Sequence, residues 1–315
     1  MALQSAMNDM PRRAVVTGAS GFIGTALLRH LRAGGWTVVA VDRRASSDPD
    51  QSIRQLDVAQ AGALDGLLDD RTVIFHMAAS ADVAGSVANP RHDFDNTFRG
   101  VFEVLEAARH AGSRVVFPST ASIFDASNPL PLAERAFARP TSPYAAGKLG
   151  GEAYCHAYHR SFGVDVRIAR LFSVYGVGMF RFAIHDIIRK IQQNHQELTI
   201  LGDGLQVRDY LFIDDAVRGL MMVATEGAAG EEYNVASGIP VQLLDLARLI
   251  AELMGHPQIR IRTTGRSFAG DTARWYADIS KVRALGFEPR VDLRSGLLQT
   301  IAWLAARPLP ATVSL

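Results

Sequence analysis

The chain has little that would take it out of a plain aqueous compartment. Its 315 residues include one cysteine, Cys155. No internal disulfide can form, and a lone thiol fits a reducing environment. Cys155 has apolar neighbours on an expected helix, so it reads as a buried structural thiol. No apolar run approaches the ~18–20 residues of a membrane span, and residues 1–13 contain no apolar core of signal-peptide length. The expectation is a soluble, cytoplasmic protein without membrane contact. Lys and Arg number 33 against 32 Asp and Glu. No basic run with interleaved aromatics occurs, so nothing calls for nucleic acid or an anionic surface. Glycine- or serine-rich linkers, internal repeats and low-complexity segments are also missing. One large α/β unit with a smaller, interleaved lobe is expected.

Glycine, by contrast, is present where it matters. Thr17-Gly18-Ala19-Ser20-Gly21-Phe22-Ile23-Gly24 follows the apolar run Ala14-Val15-Val16 and opens a helical pattern. A strand, a glycine turn and a helix in that order build a phosphate cradle. Gly18 allows the tight turn, Gly21 the approach of a pyrophosphate, and Gly24 close helix–strand packing. The helix N-terminus offers free N–H groups and partial positive charge. The next expected strand, 37–41, ends at Asp42, where an acid can bind the adenosine ribose hydroxyls and favour NAD over NADP. The neighbouring Arg43 and Arg44 can instead accept a 2′-phosphate. Asp57, at the end of a third expected strand, can meet the adenine amino group.

A second constellation is Tyr144-Ala145-Ala146-Gly147-Lys148. Positions i and i+4 share a helix face. A free phenol, with a pKa near ~10, is a poor base at neutral pH. A nearby ammonium, joined by a positive nicotinamide ring, favours phenolate. Bringing the phenol to neutrality takes about 4 kcal/mol of differential stabilisation, which two close cations in a dry site can supply.

Strands are expected at 14–17, 37–41, 53–56, 73–76, 114–118 and 165–170. Helices are expected between them, notably at 21–33, 94–111 and 144–162. Such alternation implies a parallel sheet covered on both faces, with ligands at the carboxyl ends of its strands. Beyond Phe172 the pattern loosens, with helices near 181–193, 241–254 and 293–306 and strands at 198–201 and 259–262. The segment 209–226 and a strand at 231–235 are expected to return to the main sheet.

The chain resembles the extended short-chain dehydrogenase/reductases, the family of NAD-dependent nucleotide-sugar epimerases and dehydratases. The resemblance rests on residues 17–24, Asp42, Asp57-Val58, His76-Met77-Ala78-Ala79, Val116-Phe117-Pro118-Ser119-Thr120, Ser142-Pro143-Tyr144 with Lys148 and Glu152, Phe172-Ser173-Val174-Tyr175-Gly176, and Gly202-Asp203-Gly204 running into Arg208-Asp209-Tyr210. It implies a Rossmann-type doubly wound sheet over 12–172, with return segments about 208–238. A smaller substrate lobe would comprise 173–207 and 239–315. It implies cofactor contacts from Gly18, Ser20, Gly21, Phe22, Ile23, Gly24, Asp42, Arg43, Asp57, Val58, Ala78, Ala79, Tyr144, Lys148 and Phe172. Substrate contacts would come from Ser80, Thr120, Ser173, Arg208 and Arg274, the two arginines on a diphosphate or ribose. Tyr144 would remove a hydroxyl proton while hydride moves to the nicotinamide, Thr120 would relay the proton, and Lys148 would hold the nicotinamide ribose.

The reaction is read by elimination. Family 4,6-dehydratases carry Asp-Glu directly after the threonine, and glucuronate decarboxylases carry Glu two residues after it. Here Ala121-Ser122 follow Thr120, and the cysteine of the fucose-synthase type is absent nearby. What remains is oxidation, turnover of the ketone and return of the hydride: C4 epimerisation through a transient 4-keto-sugar. A UDP-sugar is the base-rate substrate, and the resemblance implies a homodimer paired through a four-helix bundle. The alternatives are an NAD(P)H-dependent reductase of a nucleotide 4-keto-6-deoxysugar and a non-catalytic cofactor sensor. The chain departs from the family pattern at Phe124, at Ser173, at Thr97 with Asn96 beside it, and in the loop 177–182. No metal is expected. His156 and His159 lack a third ligand, His76 reads as structural, and Asp214-Asp215 read as acids at a helix start.

Overall fold

The computed structural model describes residues 12–45, 52–266 and 274–307. Most of the amino-terminal segment read for a leader, and parts of the expected lobe 239–315, lie outside these. From the amino end run β1 (Arg13–Thr17), α1 (Phe22–Ala33), β2 (Thr37–Asp42), β3 (Arg54–Gln55) and β4 (Thr72–His76). Then come α2 (Val83–Ala88), α3 (Pro90–Phe94), a π-turn over Asp95–Arg99, α4 (Gly100–Ala111), β5 (Arg114–Thr120), a 3₁₀ turn over Ala121–Ile123, α5 (Pro143–Phe162), β6 (Val166–Leu171) and β7 (Ser173–Tyr175). The remainder comprises α6 (Phe182–Gln193), β8 (Glu197–Ile200), β9 (Val207–Phe212), α7 (Ile213–Glu226), β10 (Glu232–Val235), β11 (Pro240–Gln242), α8 (Leu243–Leu253), β12 (Arg260–Thr263), α9 (Ser280–Ala284) and α10 (Leu293–Ala305).

Seven strands form one sheet in the order β10-β6-β5-β4-β1-β2-β3, and every pairing in it is parallel. Side chains alternate between its faces. Ala14, Val16, Val73, Phe75 and Val116 enter one core, while Val15, Ile74, Val115 and Phe117 enter the other. Both faces are therefore buried, which is why these strands read as continuous apolar runs. Helix α1 contributes Leu27, Leu28 and Leu31 to the first core, with Leu220 and Val223 of α7. Helix α4 places Val101, Val104, Leu105 and Ala108 in the second, with Cys155 and Tyr158 of α5. These spacings of three and four put each apolar set on one helix face.

Two small sheets complete the fold. One has the order β11-β9-β7, with β9 antiparallel to β11 and parallel to β7. The other pairs β12 with β8. The expected return to the main sheet is met by β10 and by α7, which packs on β5, β6 and β10. Strand β9 corrects that expectation, because its hydrogen bonds go to the small sheet.

Two local readings also change. The strand expected at 53–56 shrinks to Arg54–Gln55. The single helix expected at 94–111 starts earlier and is interrupted. Asn89 caps α3 by accepting from His92 N at 3.1 Å, with Pro90 at the first turn, a placement that suits a residue without an N–H. The π-turn then shifts the register before α4 begins, and it carries Thr97 inward, fully buried.

Candidate active site

The strand order reverses between β1 and β4, and the crevice there opens at the carboxyl ends of both strands. Gly18 has φ +63°, a backbone that L side chains rarely adopt, and a Cβ on it would stand 2.6 Å from Ala78 N. A Cβ on Gly24 would stand 2.2 Å from Gly18 O. The turn is thus pressed between its own helix and the end of β4, and only hydrogen fits at those positions. Gly21 caps α1 without a side-chain bond. The first amide bonded into the helix is Thr25 N, on Gly21 O at 2.9 Å, so the amides of Phe22, Ile23 and Gly24 point outward at the positive end of the helix. A cradle that side chains would fill, backed by donor amides, fits a dinucleotide pyrophosphate.

Asp42 closes the other side of this turn. It ends β2, is buried, and accepts from Ser20 N at 3.0 Å and from Ser20 Oγ at 2.6 Å. Its other oxygen accepts from Arg44 N at 3.0 Å. Both arginines turn to acids: Arg44 Nε lies 3.8 Å from Asp42 and Arg43 Nη1 4.0 Å from Asp57. Asp57, Arg43, His92, Asn96 and Arg99 line an open cavity of about 540 Å³ beside the turn, and Val58 is buried next to it. Ala78 N donates to Thr17 Oγ1 at 3.2 Å, and the Thr17 hydroxyl lies 2.9 Å from His76 Nδ1. Burial, with Lys148 second, pulls the imidazole down to about 3. His76 is therefore a neutral ring holding the ends of β1 and β4.

The Tyr144 helix, α5, is fixed at its start by Ser142, whose hydroxyl accepts from Ala145 N at 3.2 Å, and by Pro143 in the first turn. Tyr144 is half-buried at the crevice and Lys148 fully buried one turn on. Lys148 Nζ donates to Pro118 O at 2.8 Å and lies 4.8 Å from the centre of the Phe117 ring. Thr120, at the end of β5, is buried, and its hydroxyl is 3.2 Å from both Ser122 Oγ and Ser122 N. The structure brings Thr120, Tyr144 and Lys148 to one place.

The chain's own groups act on the Tyr144 phenol in both directions. Burial pushes the phenol up to about 12, and Asp93 adds to that; a hydrogen bond with Thr120 and the charge of Arg181 oppose it. Lys148 is itself pulled down to about 8 by burial. Among the chain's own groups, desolvation is the largest effect on the Tyr144 phenol.

Of the expected substrate residues, Ser173, Arg208 and Arg274 gather on the small sheet and beside it. Ser173 of β7 pairs with Tyr210 of β9, and Arg208 lies two residues before that on the same strand. Arg274 bridges to Val207, and Trp275 N donates to Val207 O at 3.1 Å. The Arg208 guanidinium lies 4.4 Å from the Trp275 ring centre. Two arginines distant in sequence are thus brought together, Arg208 on β9 and Arg274 bridged to the adjacent Val207. Asp209 anchors them: buried, it accepts from Ser237 N, Ser237 Oγ, Gly238 N and Ala277 N at 2.6–3.1 Å. Ser80 N donates to Thr97 Oγ1 at 3.3 Å, on the cofactor side of the crevice. Phe172 is buried, and Ala79 lines the loop after β4.

Three residues near the site carry no sequence signal of their own. Asp93 reads as a first-turn acid of a short helix, Arg181 as a loop charge and Trp275 as core. Each faces the site only because of tertiary packing.

A model of the NAD dependent epimerase/dehydratase family matches residues 14–236. Over 313 residues the chain is 31% identical to a dTDP-glucose 4,6-dehydratase of Actinoplanes sp., covering 93% of this chain and 97% of that protein. Over 306 residues it is 31% identical to UDP-glucose 4-epimerase of Mycolicibacterium smegmatis, covering 92% and 97%. Among solved structures it is similar to UDP-glucuronic acid 4-epimerase of Bacillus cereus in complex with UDP-glucuronic acid and NAD. That match has a TM-score of 0.85 at 28% identity, over 93% of this chain and 99% of that one.

Proposed function

The chain belongs to the NAD-dependent epimerase/dehydratase family of enzymes, and within it we propose that it is a nucleotide-sugar epimerase acting at C4. The observation that carries the reading is the pair of residues directly after Thr120. Ala121 and Ser122 form a tight 3₁₀ turn, with Ala121 buried and the Ser122 hydroxyl bonded to Thr120. No carboxylate stands there to remove a carbon-bound proton or expel a neighbouring hydroxyl. The groups that remain serve oxidation and return.

The amides of Phe22, Ile23 and Gly24 hold the cofactor pyrophosphate, and Asp42, kept in place by Ser20, meets the adenosine ribose. Lys148 holds the nicotinamide ribose. NAD, when bound, supplies the hydride acceptor and donor that no side chain provides. Tyr144 takes the proton from the sugar hydroxyl and, once the ketone has presented its other face, returns it to the same oxygen, to which Thr120 is also bonded. Arg208 and Arg274 hold the diphosphate, leaving the sugar free to turn over between the two half-reactions. The substrate lobe is the part built from 173–207 and 239–315, and a UDP-sugar is the favoured substrate.

We also infer a homodimer in the cytoplasm. Phe94, Phe102, Tyr154 and Phe162 stand exposed along the helices of one face, and Phe98 meets Tyr154 edge-on, an aromatic patch suited to a second copy. Light scattering of the purified protein tests it, and a monomer at micromolar concentration overturns it. No helix among the described residues is long and apolar enough to cross a membrane.

The functional test is mass spectrometry and absorbance on small molecules released by denaturing the purified protein, followed by assay with UDP-glucose and UDP-galactose. Bound NAD, present without being added, and interconversion without net cofactor consumption are expected. An empty protein that prefers NADPH and consumes it on a nucleotide 4-keto-sugar would replace the epimerase by the reductase.

A further inference from the structure

A nucleotide-sugar must satisfy two ends of this site at once: its diphosphate meets Arg208 and Arg274, and its reacting hydroxyl meets Thr120 and Tyr144. The arginine end is held together by its own bonds. Trp275 N donates to Val207 O at 3.1 Å and Ala277 N to Asp209 at 3.1 Å, which ties residues 274–278 to β9. The chemical end is likewise self-contained, with Lys148 bonded to Pro118 O at 2.8 Å. Residues 124–142, which run from the 3₁₀ turn after Thr120 to the start of α5, join the two. Leu132 of this loop forms a parallel bridge with Ala277. Its N donates to Tyr276 O at 2.8 Å, and Asp278 N donates to Leu132 O at 2.9 Å. The loop thus carries the segment that bears Arg274.

Two buried side chains of the main sheet hold that junction. Asn234 of β10 and Arg170 of β6 are partners in the parallel register, so their side chains leave the same face of the sheet. The Arg170 guanidinium grips Glu152 of α5 with two bonds, at 2.9 and 2.7 Å, and donates a third to Glu134 O at 2.5 Å. Glu152 shares a helix face with Tyr144 and Lys148 at spacings of four. Asn234 is fully buried. Its main-chain N donates to Glu134 Oε1 at 2.9 Å, and its side-chain Nδ2 donates to Leu132 O at 2.8 Å and to Asp278 O at 3.2 Å. One residue therefore joins the main sheet, the loop and the arginine segment. Its Oδ1 is buried without a hydrogen-bond partner. An orphan oxygen makes an amide a costly way to fill interior space, and an apolar side chain would avoid that cost. What the amide supplies is a pair of N–H donors aimed at carbonyls of two different segments.

We propose that Asn234 is a positioning residue of this site: its side-chain amide fixes the span between the arginine pair and the Thr120–Tyr144 end. It touches neither substrate nor cofactor and acts through Leu132 and Asp278. The role rests on the proposed hold of Arg208 and Arg274 on the diphosphate. Without the amide each end keeps its own bonds, and only their registration loosens. Binding of a nucleoside diphosphate, which uses one end, then survives. Transfer of hydride and proton, which needs both ends aligned on one substrate, does not.

Asn234→Ala in the full-length protein tests it, with UDP as the binding probe and UDP-galactose as the turnover substrate. In the variant kcat should fall at least about tenfold, because small misplacements of reacting groups are that costly. UDP affinity by calorimetry and retention of NAD should stay close to native. Hydrogen exchange read by mass spectrometry should be faster than native at residues 130–134 and 276–280 and unchanged in β1 and α1. A folded variant with native kcat overturns the proposal. So does a loss of UDP affinity that matches the loss of kcat, or unchanged exchange in either segment. If Asn234→Ala does not fold, Glu134→Ala is read instead; it frees the loop from β10 at the adjacent contact. The same split between kcat and UDP affinity is expected, and a native kcat overturns the proposal. Exchange requires no ligand. A native chain inert toward nucleotide-sugars therefore sinks the epimerase reading, and exchange alone then decides whether Asn234 joins the two segments.

Discussion

The ammonium of Lys148 donates to the main-chain carbonyl of Pro118 at 2.8 Å, rather than to the phenol of Tyr144 one turn away on the same helix. The carbonyl belongs to β5, two residues before Thr120, so one bond ties α5 to the strand that carries the third member of the site.

From that arrangement, Tyr144→Phe should cost at least ~10²-fold in turnover, the usual scale for losing a positioned acid–base group. Packing and the Lys148–Pro118 bond are unaffected, so NAD retention and thermal stability should stay near native. Steady-state kinetics with released-cofactor analysis reads both. A near-normal rate would remove Tyr144 from the chemistry and favour the sensor reading.

At the turn, Gly24→Ala should act on stability and cofactor together. Its Cβ would meet Gly18 O at 2.2 Å and Ala19 Cα at 3.0 Å, backbone atoms that cannot swing away. A cost of about 1–3 kcal/mol is expected for such overpacking, with at least about tenfold weaker retention of NAD because the outward amides move. Thermal denaturation and NAD titration check it. An alanine variant that binds NAD as tightly as the native chain would mean the turn does not set those amides.

Acid should unfold this protein partly through His76. Burial pulls its folded midpoint from 6.5 down to about 3. Between those values the unfolded chain takes up a proton that the folded chain refuses. Stability is therefore intact above ~6.5 and lost as pH falls toward 3, a total of about 4–5 kcal/mol. By pH 4.5 the native chain should have lost about 2–3 kcal/mol more than His76→Gln in urea denaturation. Equal losses in the two proteins would show that His76 is not the titrating group.

Asp209 and Arg208 separate anchoring from binding. Asp209→Asn sets an amide N–H₂ against a ring of four donors and should cost about 2–4 kcal/mol of stability. Arg208→Ala should leave stability within about 1 kcal/mol but raise KM for the nucleotide-sugar about tenfold or more, by losing charge-assisted bonds to phosphate. Denaturation and kinetics on both variants test the division. An Arg208→Ala enzyme with native KM would take the diphosphate away from this residue.

The glycine turn, Asp42, Tyr144 and Lys148 were legible because each sits in a local pattern whose period or spacing fixes its surroundings. The main sheet was legible for the same reason, since strands buried on both faces leave unbroken apolar runs. The interruption at residues 95–99 was not, because Pro90 and Asn89 start a helix that the apolar pattern places later. Strand β9 misled because Val207, Asp209 and Leu211 face inward in alternation, a signal that names a strand but not its sheet. The extent to which burial raises the Tyr144 phenol was not legible either. Spacing shows that a cation lies near; it cannot show how much water burial removes, and that is the largest effect of the chain's own groups on this phenol.

Strand β10 covers the outer edge of β6 with a parallel pairing from Glu232 to Val235, although both small-sheet strands β7 and β9 intervene in the chain. A polypeptide stopped after residue 172 would leave β6 with its hydrogen-bonding groups bare. The cofactor half is thus not a detachable cassette. Evolution or an engineer who wishes to change the sugar must rewrite individual contacts in place, since a single cut that discards everything after residue 172 also removes the strand that seals the dinucleotide side.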